Sequence, residues 1–182
     1  DPSRLAGVRQ YAYGDSLRKI HWKASARTQA LQVKLYESTT TIDLIVFLNL
    51  TTFEYAWQGT KPNLLELAIT TAASLVNYGM EEGYRVGLIV NGNQTNSDQA
   101  IRIMPSQDPE LLTRVLEALA KVTSIASMTI EALLHRESKN LPWGATIAVV
   151  TPLVTQDLLA ELLRLKKAGH RVALIVTDDV AP

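Results

Sequence analysis

The residue types best suited to recognition chemistry crowd between Gly7 and Arg27. Arg9, Tyr11, Gly14, Asp15, Arg18, Ile20, Trp22, Lys23 and Arg27 all fall there. Arg, Tyr and Trp dominate the energetics of protein interfaces, since each buries a large planar group while keeping a polar handle. Gly14-Asp15 reads as a turn whose carboxylate caps a short helix from Ser16 to about Ala26. On that helix Arg18, Trp22 and Ser25 follow one another at i, i+4 and i+7, so the Arg18 guanidinium can lie on the Trp22 ring. Two readings fit. Arg9, Tyr11, Asp15, Arg18, Trp22, Lys23 and Arg27 either clamp this basic segment onto the rest of the chain, with Trp22 as anchor, or form a surface for a ligand or partner.

Catalytic patterns are missing. No strand is followed by GxGxxG, and GxxxxGK[ST], GxSxG and HExxH do not occur. His21, His135 and His170 lack metal-ligand spacing, and His170, just ahead of a strand, reads as a structural histidine. The absence of cysteine excludes thiol nucleophiles, cysteine zinc sites and iron–sulfur clusters. With no nucleophile paired to a base, the expectation is a non-enzyme without a cofactor. The alternative is an enzyme or nucleotide-binding domain in which Asn91, Asp178 and Asp179 supply oxygens to a crevice. A third idea, stacking of nucleic-acid bases on Tyr11, Tyr13 and Trp22, meets a chain whose 18 basic and 18 acidic residues leave no net field. No nucleic-acid partner is expected.

The elements that position these residues follow from periodicity. A chain of 182 residues, 47% hydrophobic and 20% charged, suits about one soluble domain. Its charge is uneven: up to Glu37 there are seven basic and three acidic residues, a local +4 that leaves −4 for the remainder. Leu31–Glu37 alternates like a half-buried strand, whereas Asp43–Asn49, Arg85–Val90, Ala145–Val150 and Arg171–Val176 are unbroken apolar runs suited to a sheet covered on both faces. Wide apolar arcs predict helices over Pro62–Met80, after Asp108-Pro109-Glu110 with Asp108 as cap, over Met128–Ser138, and from Thr155 to Gly169. Asn91–Asp98 reads as a hairpin loop leading to an antiparallel strand at Ala100–Met104.

The pattern is an α/β fold with a mostly parallel central sheet and helices on both faces. A signature segment over 1–38 is expected to pack on a body over 39–182. Open sheets of this kind receive ligands outside the carboxyl ends of their strands. That rule singles out a crevice at Asn49, Thr51 and Thr151. Trp57, in the loop after the first inner strand, is expected to pack as a lid on the sheet edge, with an exposed binding aromatic as the alternative, and Trp143 to be core.

The run Gly7-Val8-Arg9-Gln10-Tyr11-Ala12-Tyr13-Gly14-Asp15-Ser16-Leu17-Arg18-Lys19-Ile20-His21-Trp22-Lys23-Ala24-Ser25-Ala26-Arg27 closely resembles the signature of the bacterial domain-of-unknown-function 58 family. The resemblance implies a von Willebrand factor A-like body. It also implies a longer parent anchored by N-terminal transmembrane helices, with this region on the cytoplasmic side of the cell membrane, and membrane contact only through segments outside this chain. The start at Asp1-Pro2, without an initiator Met, fits an excised piece. The partner implied is a MoxR-type AAA+ ATPase, in assembly or maturation of protein complexes. Von Willebrand A folds often hold Mg²⁺ through D-x-S-x-S after the first central strand. Here Asn49-Leu50-Thr51-Thr52-Phe53 stands in that place and Thr151-Pro152 follows Ala145–Val150, so a degenerate site without a metal is expected.

Overall fold

Apolar runs become inner strands, and the polar residues that end them line one end of a sheet. The computed structural model describes residues 5–36, 41–95, 97 and 99–177. The chain divides into two compact units between Thr40 and Thr41. The boundary expected at 38/39 lies outside the described residues, as do Asp178 and Asp179.

In the first unit, β1 (Leu5–Gln10) and β2 (Gln32–Tyr36) pair antiparallel. β1 is an addition to the elements expected from sequence. Between the strands, the single helix expected over residues 16–26 is two pieces: a 3₁₀ turn at Leu17–Lys19 and α1 (Trp22–Thr28). The break is caused by Ile20, which is buried, extended and bridged to Val33. The His21 N–H donates to the Gln32 carbonyl at 2.7 Å. A residue committed to strand pairing cannot also close a helical turn. The cap is correspondingly His21, whose Nδ1 accepts the Ala24 N–H at 3.1 Å, and not Asp15.

The second unit contains β3 (Asp43–Leu48), α2 (Pro62–Glu81), β4 (Arg85–Gln94), β5 (Ala100–Ser106) and α3 (Leu111–Ala120). It continues through β6 (Val122–Ala126), α4 (Ile130–Glu137), β7 (Thr146–Thr151), α5 (Gln156–Lys167) and β8 (Arg171–Val176). The sheet order is β5-β4-β3-β7-β8, with β6 also paired to β4. β3, β4, β7 and β8 run parallel; β5 and β6 run antiparallel to β4. The fold is therefore α/β with a mostly parallel sheet, as the apolar runs imply.

Strand alternation divides the core in two. Leu44, Val46 and Leu48 face α2 and α3, while Ile45 and Phe47 face α4 and α5. Such two-sided burial explains why these strands lack the polar alternation of an exposed sheet.

Several expectations are corrected. β4 runs on through Gln94, so Asn91 belongs to a strand and the turn begins later. β6 was absent from the elements expected. Asp108 accepts the Glu110 N–H at 3.0 Å in a turn that precedes α3, whose N-cap is Glu110. Trp143 is 91% exposed, because the Pro142–Ala145 turn, with Gly144 at φ 73°, carries its side chain outward.

Gly87 marks the tightest approach between β4 and the edge strand. A Cβ there would lie 2.7 Å from the Ile103 carbonyl oxygen and 2.9 Å from the Pro105 nitrogen, both backbone atoms. Gly87→Ala is expected to lower stability by about 1–3 kcal/mol. Urea unfolding with an unchanged slope checks it, and an unchanged midpoint would contradict the packing described.

Candidate functional site

The crossovers from β3 and β7 leave the sheet on opposite faces, α2 on one and α5 on the other. Adjacent strands that part in this way create the crevice where doubly wound sheets receive ligands. Here Asn49 follows β3 and Thr151 ends β7, so two of the expected crevice residues stand at the switch point. They close it. Asn49 Nδ2 donates to Thr151 Oγ1 at 2.9 Å, and the Thr151 hydroxyl donates to the Leu153 carbonyl at 2.6 Å.

Asn91, at the corresponding place on β4, completes the arrangement. Its Nδ2 donates to Asn49 Oδ1 at 2.7 Å and to the Met128 carbonyl at 3.2 Å. Its Oδ1 accepts the Leu50 N–H at 2.8 Å, while Asn49 Oδ1 also accepts the Thr51 N–H at 3.1 Å. Asn49, Asn91 and Thr151 are each at most 2% exposed. Burial of that degree obliges polar atoms to find partners, and these find one another. A hard cation instead needs several oxygens turned toward it, preferably anionic. The donor set does not fit the magnesium ion implied by the family resemblance. Among the described residues, no three His, Asp or Glu side chains gather as a metal site.

Beside this closed row the surface opens into a hollow of about 340 Å³, lined on one side by Leu50–Phe53, Gly59 and Thr60 and on the other by Ser124–Ala126 of β6. Thr51 is half-buried there, the one expected crevice residue that reaches the surface. Ile125, 74% exposed, lines the hollow, and Trp57, 83% exposed, belongs to the segment that joins the lining residues Phe53 and Gly59. Trp57 therefore does not pack on the sheet edge. It stacks on Tyr55, with ring centroids 6.0 Å apart and planes inclined by 21°. The cause is local: Gln58 Oε1 accepts the Tyr55 N–H at 3.1 Å and the Gln58 N–H donates to the Tyr55 carbonyl at 3.0 Å, a tight turn that holds both rings outward. Lys61 Nζ lies 5.1 Å from the Phe53 ring centroid. A larger hollow between α4 and α5 is lined by charges that engage one another, Arg164 with Glu161 at 2.5 Å and His135 with Glu161 at 3.6 Å.

The signature residues of the first unit separate into two groups. Arg9 donates from both terminal nitrogens to Asp15, at 2.6 and 2.7 Å, and the Ala12 N–H donates to the same carboxylate at 2.9 Å. The Arg9 hydrogen bonds, then the Ala12 amide, hold the Asp15 carboxyl down at about 2. Tyr11 is half-buried, its N–H donating to the Leu31 carbonyl at 2.8 Å. Arg18, Trp22, Lys23 and Arg27 are exposed. Arg18 lies in the 3₁₀ turn and Trp22 begins α1, so the stacking expected on one continuous helix loses its basis.

A family model described as "Protein of unknown function DUF58" matches residues 7–181, which spans both units. No curated protein matches the chain.

The Asp15 turn is directly measurable. Because its folded pKa is depressed, the contribution of Asp15 to stability is present above about pH 4 and is lost as pH falls through about 2. Carboxyl carbon shifts in an NMR titration should give a midpoint near that value in the parent. In Arg9→Gln the midpoint should return toward the ordinary value of about 3.9. An unchanged midpoint in the variant would contradict the pairing.

Proposed function

The chain belongs to the DUF58 family, and from that premise we propose that it is a non-enzymatic protein–protein interaction module. In this reading the second unit is a von Willebrand factor A-like body within a larger, membrane-anchored protein, with the module on the cytoplasmic side. Its partner is a MoxR-type AAA+ ATPase, with which it acts in the assembly or maturation of protein complexes. No described helix is long and apolar enough to cross a membrane; in this reading the anchor is supplied by other parts of the parent.

One observation carries the interaction reading. At the switch point the side-chain atoms that would otherwise meet a ligand bond to one another, while the adjoining rim turns Tyr55, Trp57 and Ile125 toward solvent. The turn and the ring stacking restrain the pair before any partner arrives, which reduces the side-chain entropy left to lose on binding. Rings of this kind, beside a hollow lined by Thr51, Thr60 and Ser124, match the mixture of apolar anchors and hydrogen-bonding groups found at hot spots.

Removing the rings tests this. Trp57→Ala combined with Tyr55→Ala should leave the unfolding midpoint within about 0.5 kcal/mol of the parent, since both side chains are exposed. Affinity for the partner ATPase, measured by calorimetry, should fall at least tenfold, the loss of about 1.4 kcal/mol or more typical of a hot spot. Parental affinity in a folded double variant would remove the rim from the interface.

A further inference from the structure

The exposed side of the first unit has a charge pattern that its own fold leaves unanswered. Arg18, Lys19, Lys23 and Arg27 are all exposed. Among the described residues of this unit the one ion pair is Arg9 with Asp15, which uses the only carboxylate there. Lys23 and Arg27 stand one helical turn apart on α1, where like charges repel and weaken an isolated helix. Among the described residues of the unit no carboxylate offsets that repulsion. Apolar groups are exposed in the same segment: Tyr13 fully, and Leu17 and Trp22 at 65% and 68%. Ala24 and Ser25 turn the opposite side of α1 inward, and the Ser25 hydroxyl accepts the Gln32 N–H at 2.9 Å. Trp22, Lys23, Ala26 and Arg27 are thereby held on one outward face with a small residue among them.

We propose that this face docks an acidic polypeptide segment, whose carboxylates meet Arg18, Lys19, Lys23 and Arg27 and whose apolar side chains lie on Leu17 and Trp22. The guanidinium fork matches a carboxylate bidentately, and anionic partners turn the repulsion between Lys23 and Arg27 into attraction. Charge also limits the size of the partner. The whole chain has no net charge, so no global field adds to this patch in attracting a long polyanion such as a nucleic acid or a charged bilayer. A short acidic segment needs no more than the patch. These residues belong to the first unit and the aromatic pair to the second, and either proposal can fail without the other.

The test titrates the full chain into a short fluorescein-labelled peptide of glutamates interspersed with leucine and follows anisotropy at low and raised salt. Saturable binding that weakens with salt is expected. Lys23→Glu with Arg27→Glu should weaken it about tenfold or more, with circular dichroism reporting an intact fold. Arg18→Glu with Lys19→Glu, which lies outside α1, should do the same and keeps the test valid if reversing charges on the helix disturbs it. The proposal is overturned if the peptide does not bind, if neither charge reversal weakens binding, or if phosphatidylserine vesicles or a single-stranded oligonucleotide bind more tightly than the peptide.

Discussion

Two side-chain amides, one following β3 and one within β4, bond to each other at 2.7 Å beneath the end of the sheet, and the chemistry of that end follows from this contact. Each amide has two donors and an acceptor oxygen, and neither is exposed enough for water to serve them. Asn49 gives one donor to Thr151 and accepts from Asn91 and from the Thr51 backbone; Asn91 holds the Leu50 backbone and the Met128 carbonyl. Leaving any of these buried groups unpaired would cost about 1–3 kcal/mol, several times what a typical surface contact contributes. The row is therefore a structural fastening across β4, β3 and β7. It occupies the place where folds of this class usually meet their ligands.

The same fastening sets the loop after β3. Leu50 and Thr51 are tied by their backbone amides to the two asparagines, and the Lys61 N–H at the start of α2 donates to Thr52 Oγ1 at 2.9 Å. The stretch between these ties, with its stacked Tyr55–Trp57 pair, is thus held at both ends. Gly92 leaves room for it: a Cβ there would meet a Leu50 methyl and come within 3.3 Å of the Ile125 carbonyl oxygen, so a larger residue would require the Leu50 side chain to shift. Apolar rings at the rim and buried amides beneath it are two consequences of one packing arrangement. The first unit presents a different chemistry, basic with scattered aromatic and aliphatic groups; under the proposed interaction reading, the two surfaces would select partners by shape and by charge.

The central sheet was legible in the sequence because its signal is dense. Asp43–Leu48 and Thr146–Thr151 have no polar interruption long enough to permit another reading, and Pro62 and Thr155 mark helix starts by the backbone groups they supply or satisfy. Family membership was legible too, from the Gly7–Arg27 run. What escaped depends on distant partners. The propensities of residues 16–26 are helical, and only pairing with Val33 and Gln32, more than ten residues onward, forces Ile20 and His21 out of the helix. Asn91 and Gly92 look like turn residues until β6 supplies the strand that pairs with them. The asparagine row left a recoverable trace, since Asn49, Asn91 and Thr151 each close an apolar strand run with a small polar residue. Position in the chain gave no hint that the three would bond to one another. The outward aromatic pair and Trp143 show the complementary limit: a large apolar side chain in a loop is read as core unless the turn beneath it is known.

The closed switch point requires the two asparagines to be committed to one another. Their side-chain NH₂ resonances, followed by ¹⁵N NMR during a magnesium titration, test that commitment most directly. The structure predicts two protected, downfield-separated NH₂ pairs for Asn49 and Asn91 that do not move as magnesium is added. Saturable shifts of these signals, together with those of the Thr51 amide, would show oxygens turned to a cation and would contradict the closed switch point.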